Sequence, residues 1–178
     1  MDTQIIQVDE QHIQINLLRQ AGEIIKAGGL VAFPTETVYG LGGDALNPDS
    51  SRKIYEAKGR PSDNPLIVHI CRMEDLPYLV KEIPEAAKKL ADAFWPGPLT
   101  MIFRKSPAVP TETTGGLATV AVRMPSHKTA LSFIREAGGY VAAPSANRSG
   151  KPSPTCAKYV EEDMAGRIEM ILDGGDVE

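Results

Sequence analysis

The sequence predicts one α/β domain, with helices packed on a mixed or partly parallel sheet. Three observations carry that expectation. Short runs rich in β-branched residues alternate with segments of helical period through most of the chain. The 16 Gly and 14 Pro fall between those runs as punctuation. The 178 residues, 42% of them hydrophobic, suffice to bury one core without disulfide or metal staples.

Taken in order, Ile15, Leu18, Ile24 and Ile25 recur at helical spacing and predict a helix over about 12–27, stopped by Gly28 and Gly29. Residues 30–33 form a short apolar strand closed by Pro34. The stretch TETVYGLGGDA lacks a helical period. Asp49 or Ser50 is placed to cap a helix running to about Lys58. GRPSDNP is a turn-rich loop feeding the strand 66–70. Helical stretches follow near 73–80 and 84–94, with Pro84 suited to a first turn. WPGP at 95–98 is a rigid turn, 99–103 a strand and 105–118 a loop. Residues 119–124 alternate as a strand does, and 126–137 read as a helix ended by Gly138 and Gly139. A strand at 140–143 ends at Pro144, and the loop PSANRSGKPSP follows. Thr155 is placed to cap a helix to about 165, and 168–172 is a final strand. FPTETVYG and APSANRSG rhyme: each sets a proline and hydroxyl residues just past an apolar strand, where α/β folds keep their ligands.

Composition excludes several classes. No apolar run approaches the roughly 20 residues of a membrane span. The N-terminus has no basic stretch followed by an apolar core, so a cytoplasmic protein is expected. The formal net charge of −4 argues against general nucleic-acid attraction. Cations nevertheless cluster locally: Arg52, Lys53, Lys58 and Arg60, then Arg123, Lys128 and Arg135, then Arg148, Lys151 and Lys158. Cys71 and Cys156 are far apart, and His12, His69 and His127 lack ligand spacing, so no metal site is read.

Five segments carry chemistry. In PTETVYGLGGD, Thr35, Thr37 and Tyr39 offer hydroxyls while glycines permit close backbone approach; a glycine-rich turn with buried threonines is the alternative. The segment is neither a P-loop nor a GxGxxG junction. Lys58 and Arg60 suit a triphosphate, one as a point charge and one as a fork, with the amide of Asn64 beside them. A solvated helix end accounts for the same two cations equally well. Arg123 interrupts the apolar strand VAVRM and could bind a small carboxylate bidentately, close a structural salt bridge, or simply face outward from its strand. His69 sits within the strand LIVHI, where a packing role competes with ligand contact. PSANRSGKPSP offers Ser145, Asn147, Arg148, Ser149 and Lys151 to a nucleotide.

Six separated blocks in order then set a family resemblance: FPTETVYGLG, YEAKGRP, PLIVHI, WPGPLT, VAVRMP and PSANRSG. Together they resemble the YrdC/Sua5 family of L-threonylcarbamoyladenylate synthases over roughly residues 13–174. The resemblance implies an open twisted mixed α/β sheet with flanking helices around a positively charged cavity. It implies a nucleotidyltransferase that makes threonylcarbamoyl-AMP and pyrophosphate from L-threonine, bicarbonate and ATP with Mg²⁺, for modification of tRNA adenosine 37. A downstream threonylcarbamoyl-transferase complex and a weak tRNA contact are the implied partners.

By motif, Thr35, His69 and Arg123 match threonine-binding positions. Lys58 and Arg60 match the catalytic pair that also contacts ATP, together with Asn64, Thr119, Ala143, Ser145 and Asn147. Tyr39 is expected on the pocket wall. Family members continue past ILDGGD into a GxxSTV-type segment, so residues 1–178 are expected to be a single YrdC-like domain truncated at its C-terminus. Two other classes are weighed: an RNA-binding domain of a tRNA-maturation protein, and a carbamoyl-transfer module.

Overall fold

The computed structural model describes residues 1–177. Eight strands form one sheet in the order β1-β8-β2-β3-β7-β4-β6-β5. They are β1 (Gln4–Gln7), β2 (Val31–Pro34), β3 (Tyr39–Asp44), β4 (Ile67–His69), β5 (Thr100–Arg104), β6 (Thr119–Arg123), β7 (Val141–Ala142) and β8 (Met170–Asp173). The helices are α1 (Ile15–Lys26), α2 (Pro48–Lys58), α3 (Leu76–Leu79), α4 (Glu85–Phe94), α5 (Lys128–Glu136) and α6 (Ala157–Met164). The sheet is mixed: β8 pairs parallel with β1 and β2, β4 pairs parallel with β6, and the other pairs are antiparallel.

Strand periodicity divides the core into two layers. Val31, Phe33, Val141, Ala143, Met170 and Leu172 face Leu18, Ala21 and Ile25 of α1 and Ala130, Phe133 and Ile134 of α5. The alternate residues Ala32, Val68, Val122, Ala142 and Ile171 join the opposite cluster, with Ile54, Leu76, Ala91, Val160 and Met164 from the other helices. Helix α1 meets α5 closely at Gly22, where an added Cβ would stand 2.3 Å from the Glu136 carbonyl oxygen. Gly22→Val is therefore expected to cost roughly 2–3 kcal/mol despite better helix propensity, because backbone and not a flexible side chain must yield. The midpoint of denaturant unfolding checks this.

Most elements lie where the sequence predicts them, with five corrections. Strand β1 falls in a segment left unassigned, and β3 in a stretch read only as non-helical. Asn47, rather than Asp49 or Ser50, caps α2, its side chain accepting from the Asp49 N–H at 3.0 Å, with Pro48 beginning the helix. Cys156, not Thr155, is the N-cap of α6 and makes no side-chain cap bond. The stretch 73–80 is a 3₁₀ turn over Met73–Asp75 followed by the single turn of α3, because Pro77 has no N–H to bond back to Met73 and Val80 turns extended to bridge Lys105.

Candidate active site

Lys58 is the last residue of α2, and Gly59 ends the helix in the left-handed region at φ 64°. The Arg60 N–H then bonds back to the Tyr55 carbonyl at 2.9 Å, so the two cations flank one tight turn. This is no solvated helix end: Lys58 is 3% exposed. Its Nζ donates to the Ser145 carbonyl at 2.5 Å and lies 3.5 Å from Asn147 Oδ1. Ser145 Oγ donates to the same Oδ1 at 2.5 Å. Arg60 Nη2 donates to the Pro65 carbonyl at 2.9 Å, while its Nε is buried without a hydrogen-bond partner. Among the described residues neither cation has an acidic salt-bridge partner. Burial first, then the charge of Arg60, pushes the Lys58 ammonium down to about 8, against a smaller opposing pull from Asp163.

The loop 145–151 that receives Lys58 is tied down by Asp163, a residue the sequence reading passed over. Its carboxylate accepts the Arg148 N–H at 3.0 Å and lies 3.5 Å from Lys151 Nζ. Asn147 Nδ2 donates to the carbonyls of Arg148 and Lys151, each at 2.8 Å. The two rhyming loops turn out to be neighbours. Gly40 and Ser145 form an antiparallel bridge, the Leu41 N–H bonds to the Pro144 carbonyl, and the Ala146 N–H to that of Tyr39.

The second group of polar residues forms around Arg123. His69 and Arg123 are register partners in the parallel pair β4–β6, so they stand side by side on one face. Arg123 Nε donates to the Gly97 carbonyl at 3.2 Å, within the WPGP turn, and Nη2 to Glu36 Oε1 at 2.6 Å. Nη1 lies 3.5 Å from Thr37 Oγ1, which is 3.1 Å from Thr35 Oγ1. Thr35 Oγ1 also donates to the Val38 carbonyl at 2.7 Å.

Glu36 is the main residue that sequence reasoning missed. A carboxylate beside hydroxyls carries no local signal that its partner lies in a distant strand. Burial alone would raise its pKa, but the Ser126 N–H, its own N–H and Arg123 hold it below the ordinary carboxylate value.

His69 is 4% exposed and packs edge-on against Phe33, with ring centroids 6.1 Å apart. Its Nδ1 lies 3.1 Å from the Ile67 carbonyl. Burial and then the Arg123 charge push the imidazole down to about 4, so the ring is neutral at pH 7. The Ile67 carbonyl, and the Val141 backbone beside it, favour a proton on the ring nitrogen that faces them.

The sheet face between the two groups is open. Ile67 pairs with Ala121, and Ala121 with Ile102 of the edge strand β5. Ile67, Ala121 and Thr119 are half-buried and Ile102 is exposed. Ala143 bonds to the Ile67 carbonyl through its N–H and is buried. Asn64 is exposed; its carbonyl, rather than its side chain, lies 3.4 Å from Arg60 Nη2. From the end of α2, Lys58 connects to Arg123 through Ser145 of the bridging loop and then Gly40, Phe33 and His69 of the sheet.

A cavity of about 360 Å³ opens beside Thr35 and Glu36, walled also by Asp9, Glu10, Ser126, Gly174 and Asp176. Lys58, Arg60 and Arg123 are not among its lining residues. Tyr39 is a core residue and not a wall: its hydroxyl donates to the Gly175 carbonyl at 2.7 Å and accepts the Gly174 N–H at 2.9 Å. Burial pushes this phenol up to about 12, which keeps the proton it donates.

Fold and side chains together define the class: a mixed-sheet α/β domain with a buried, unneutralised lysine under one strand-end loop and, across the same sheet, a buried arginine framed by threonines. The chain belongs to the Sua5/YciO/YrdC family, whose model, described as telomere recombination, matches residues 23–178. It is 58% identical over 174 residues to the threonylcarbamoyl-AMP synthase of Pyrococcus abyssi, covering 98% of this chain and 51% of that protein. It is 57% identical over 159 residues to the threonylcarbamoyl-AMP synthase of Bacillus subtilis, covering 89% of this chain and 46% of that one. The crystal structure of P. abyssi Sua5 complexed with L-threonine superposes with a TM-score of 0.96 at 57% identity, over 98% of this chain and 51% of that one. The chain thus spans about half the length of these relatives. Among the described residues, no helix is long and apolar enough to cross a membrane.

Proposed function

We propose that residues 1–178 form one YrdC-like unit that makes threonylcarbamoyl-AMP from L-threonine, bicarbonate and ATP, releasing pyrophosphate and water. The names of the P. abyssi and B. subtilis relatives support this reading, as does the L-threonine bound in the P. abyssi structure. The observation that carries it is the buried Lys58 ammonium beside Arg60, with no acidic partner among the described residues. A buried charge normally needs a counter-charge, and a triphosphate supplies one.

Each residue then has a role. Arg123 clamps the threonine carboxylate, with Thr35 and neutral His69 beside it. The open strip of Ile67, Ala121 and Thr119, floored by the buried Ala143, receives the nucleoside, and Ser145, Asn147 and Asn64 hold the phosphates with Lys58 and Arg60. Bicarbonate gives up water to form carbon dioxide; the threonine nitrogen bonds to its carbon, one C=O π pair moves onto oxygen, and the nitrogen loses a proton, giving a carbamate. A carbamate oxygen attacks the α-phosphorus, and the bond to the bridging oxygen breaks. Lys58 and Arg60 stabilise the charge growing on pyrophosphate as it leaves. Enclosure matters because free carbamate decomposes. No group of three His, Cys, Asp or Glu side chains among the described residues could hold a metal ion, so no residue is assigned to Mg²⁺ and no step runs through it. The product passes to a threonylcarbamoyl-transferase acting on tRNA.

The test is pyrophosphate release with the adduct identified by mass spectrometry. Release that requires both L-threonine and bicarbonate supports the synthase. ATP turnover indifferent to threonine, or replacement of both substrates by carbamoyl phosphate, overturns it. So does salt-sensitive RNA binding without turnover.

A further inference from the structure

We infer that Glu36 is the positioning residue that decides which edge of Arg123 meets the amino-acid carboxylate. This deepens, and rests on, the reading of Arg123 as the carboxylate clamp. A guanidinium has five N–H donors in a rigid plane, so fixing two sides determines the third. The Nε side is fixed by the Gly97 carbonyl at 3.2 Å and the Nη2 side by Glu36 Oε1 at 2.6 Å. What remains is the Nη1 side, which faces the hydroxyls of Thr37 and Thr35.

Glu36 is itself locked. Its second oxygen accepts the Ser126 N–H at 3.0 Å and the Ser126 hydroxyl at 2.9 Å. Ser126 follows β6 by three residues, so one carboxylate joins the Arg123 side chain to the backbone just beyond its own strand. The Arg123 side chain is 9% exposed and that of Glu36 23%, which leaves little water to compete.

The pairing has a consequence for recognition. Glu36 neutralises Arg123, so an incoming carboxylate meets no free positive charge from the Nη2 side, only the repulsion of another carboxylate. Approach is favourable only along Nη1, beside the Thr37 hydroxyl; the Thr35 hydroxyl proton is held by the Val38 carbonyl and supports Thr37 from behind. Glu36 therefore selects one orientation of a small α-amino acid by exclusion as well as by support.

The experiment measures threonine and ATP dependence of pyrophosphate release for Glu36→Gln, Ser126→Ala, Arg123→Ala and the Glu36→Gln/Arg123→Ala pair. Glu36→Gln should raise the KM for L-threonine about 10-fold by replacing an ion pair with an ion–dipole bond and removing one of the two acceptor oxygens that hold Arg123 and Ser126, leaving the KM for ATP within about twofold. In the Arg123→Ala background the same change should add less than about twofold in kcat/KM, because Glu36 acts only through Arg123. Ser126→Ala, which loses one bond to Glu36, should raise the threonine KM about threefold and decides the matter if Glu36→Gln does not fold. An unchanged threonine KM in the folded variants overturns the inference, as does an equal effect of Glu36→Gln with and without Arg123. If Arg123→Ala alone leaves threonine dependence intact, the clamp reading fails and the inference falls with it.

Discussion

Lys58→Met is expected to lower ATP affinity by about 10- to 100-fold, the range for a lost charged hydrogen-bonded contact, and yet to yield a more stable free protein. Both effects have one cause. Lys58 is held at about 8 by burial and by Arg60, so folding at pH 7 brings an ammonium into a place that disfavours its charge. Its folded value lies below the ordinary 10.5, so this destabilisation is fully present below about pH 8 and fades as pH rises towards 10.5. Methionine keeps the aliphatic volume and removes the charge, at the loss of the donor to the Ser145 carbonyl. A net gain of about 1 kcal/mol at pH 7 follows, visible as a raised unfolding midpoint.

Bound triphosphate reverses the electrostatics. It raises the Lys58 pKa, so ATP binding near pH 8 should take up about half a proton, measurable by calorimetry in buffers of different ionisation enthalpy. Lys58→Met should abolish that uptake. Equal ATP affinity and equal proton uptake in the variant would remove Lys58 from the phosphate site.

Arg123→Ala is expected to act on the other substrate and with the opposite effect on stability. Loss of the carboxylate clamp should raise the KM for L-threonine about 100-fold, while the ATP dissociation constant stays within about twofold. The free protein should lose about 3 kcal/mol, because Glu36 is left partly buried without its cation and the Gly97 carbonyl without a donor. The Glu36 carboxyl, held low by Ser126 and Arg123 in the parent, should titrate higher in the variant. In the parent its contribution to stability is present at neutral pH and is lost as pH falls below the ordinary 4.5. Isothermal titration with ATP, kinetics in threonine and denaturant unfolding separate these effects. Unchanged threonine dependence in a folded variant would defeat the assignment.

Sequence reading succeeded for elements whose apolar period is local, although it misplaced the N-caps of α2 and α6 by one to three residues. The apolar period of α1 and α5, the strand patterns of β2, β5 and β6 and the turn chemistry around Gly59 each lie within a few residues of the element they specify. It missed β3 because YGLGGD has glycine where a strand normally shows side chains. There the Phe33 ring and the Val141 side chain fill that space, and a Cβ on Gly42 would meet both at 3.0 Å. It missed β1 because a four-residue edge strand becomes a strand only by pairing with β8, far along the chain. The same distance hid Glu36 and Asp163, whose partners lie in other segments of the sequence.

By itself, the sequence determined the class of fold, the family blocks and the chemical character of the loops, since periodicity, turn residues and side-chain type belong to short stretches of chain. It left Lys58 open between a solvated helix end and a phosphate contact, and Arg123 between a salt bridge, an outward-facing strand position and a clamp. Only the tertiary structure decided that Lys58 is buried beneath the 145–147 loop, that Arg123 has one edge held by Glu36, and that the loops of Thr35 and Ser145 adjoin. Those facts depend on which surfaces lose water together, and desolvation and charge pairing are properties of neighbours in space.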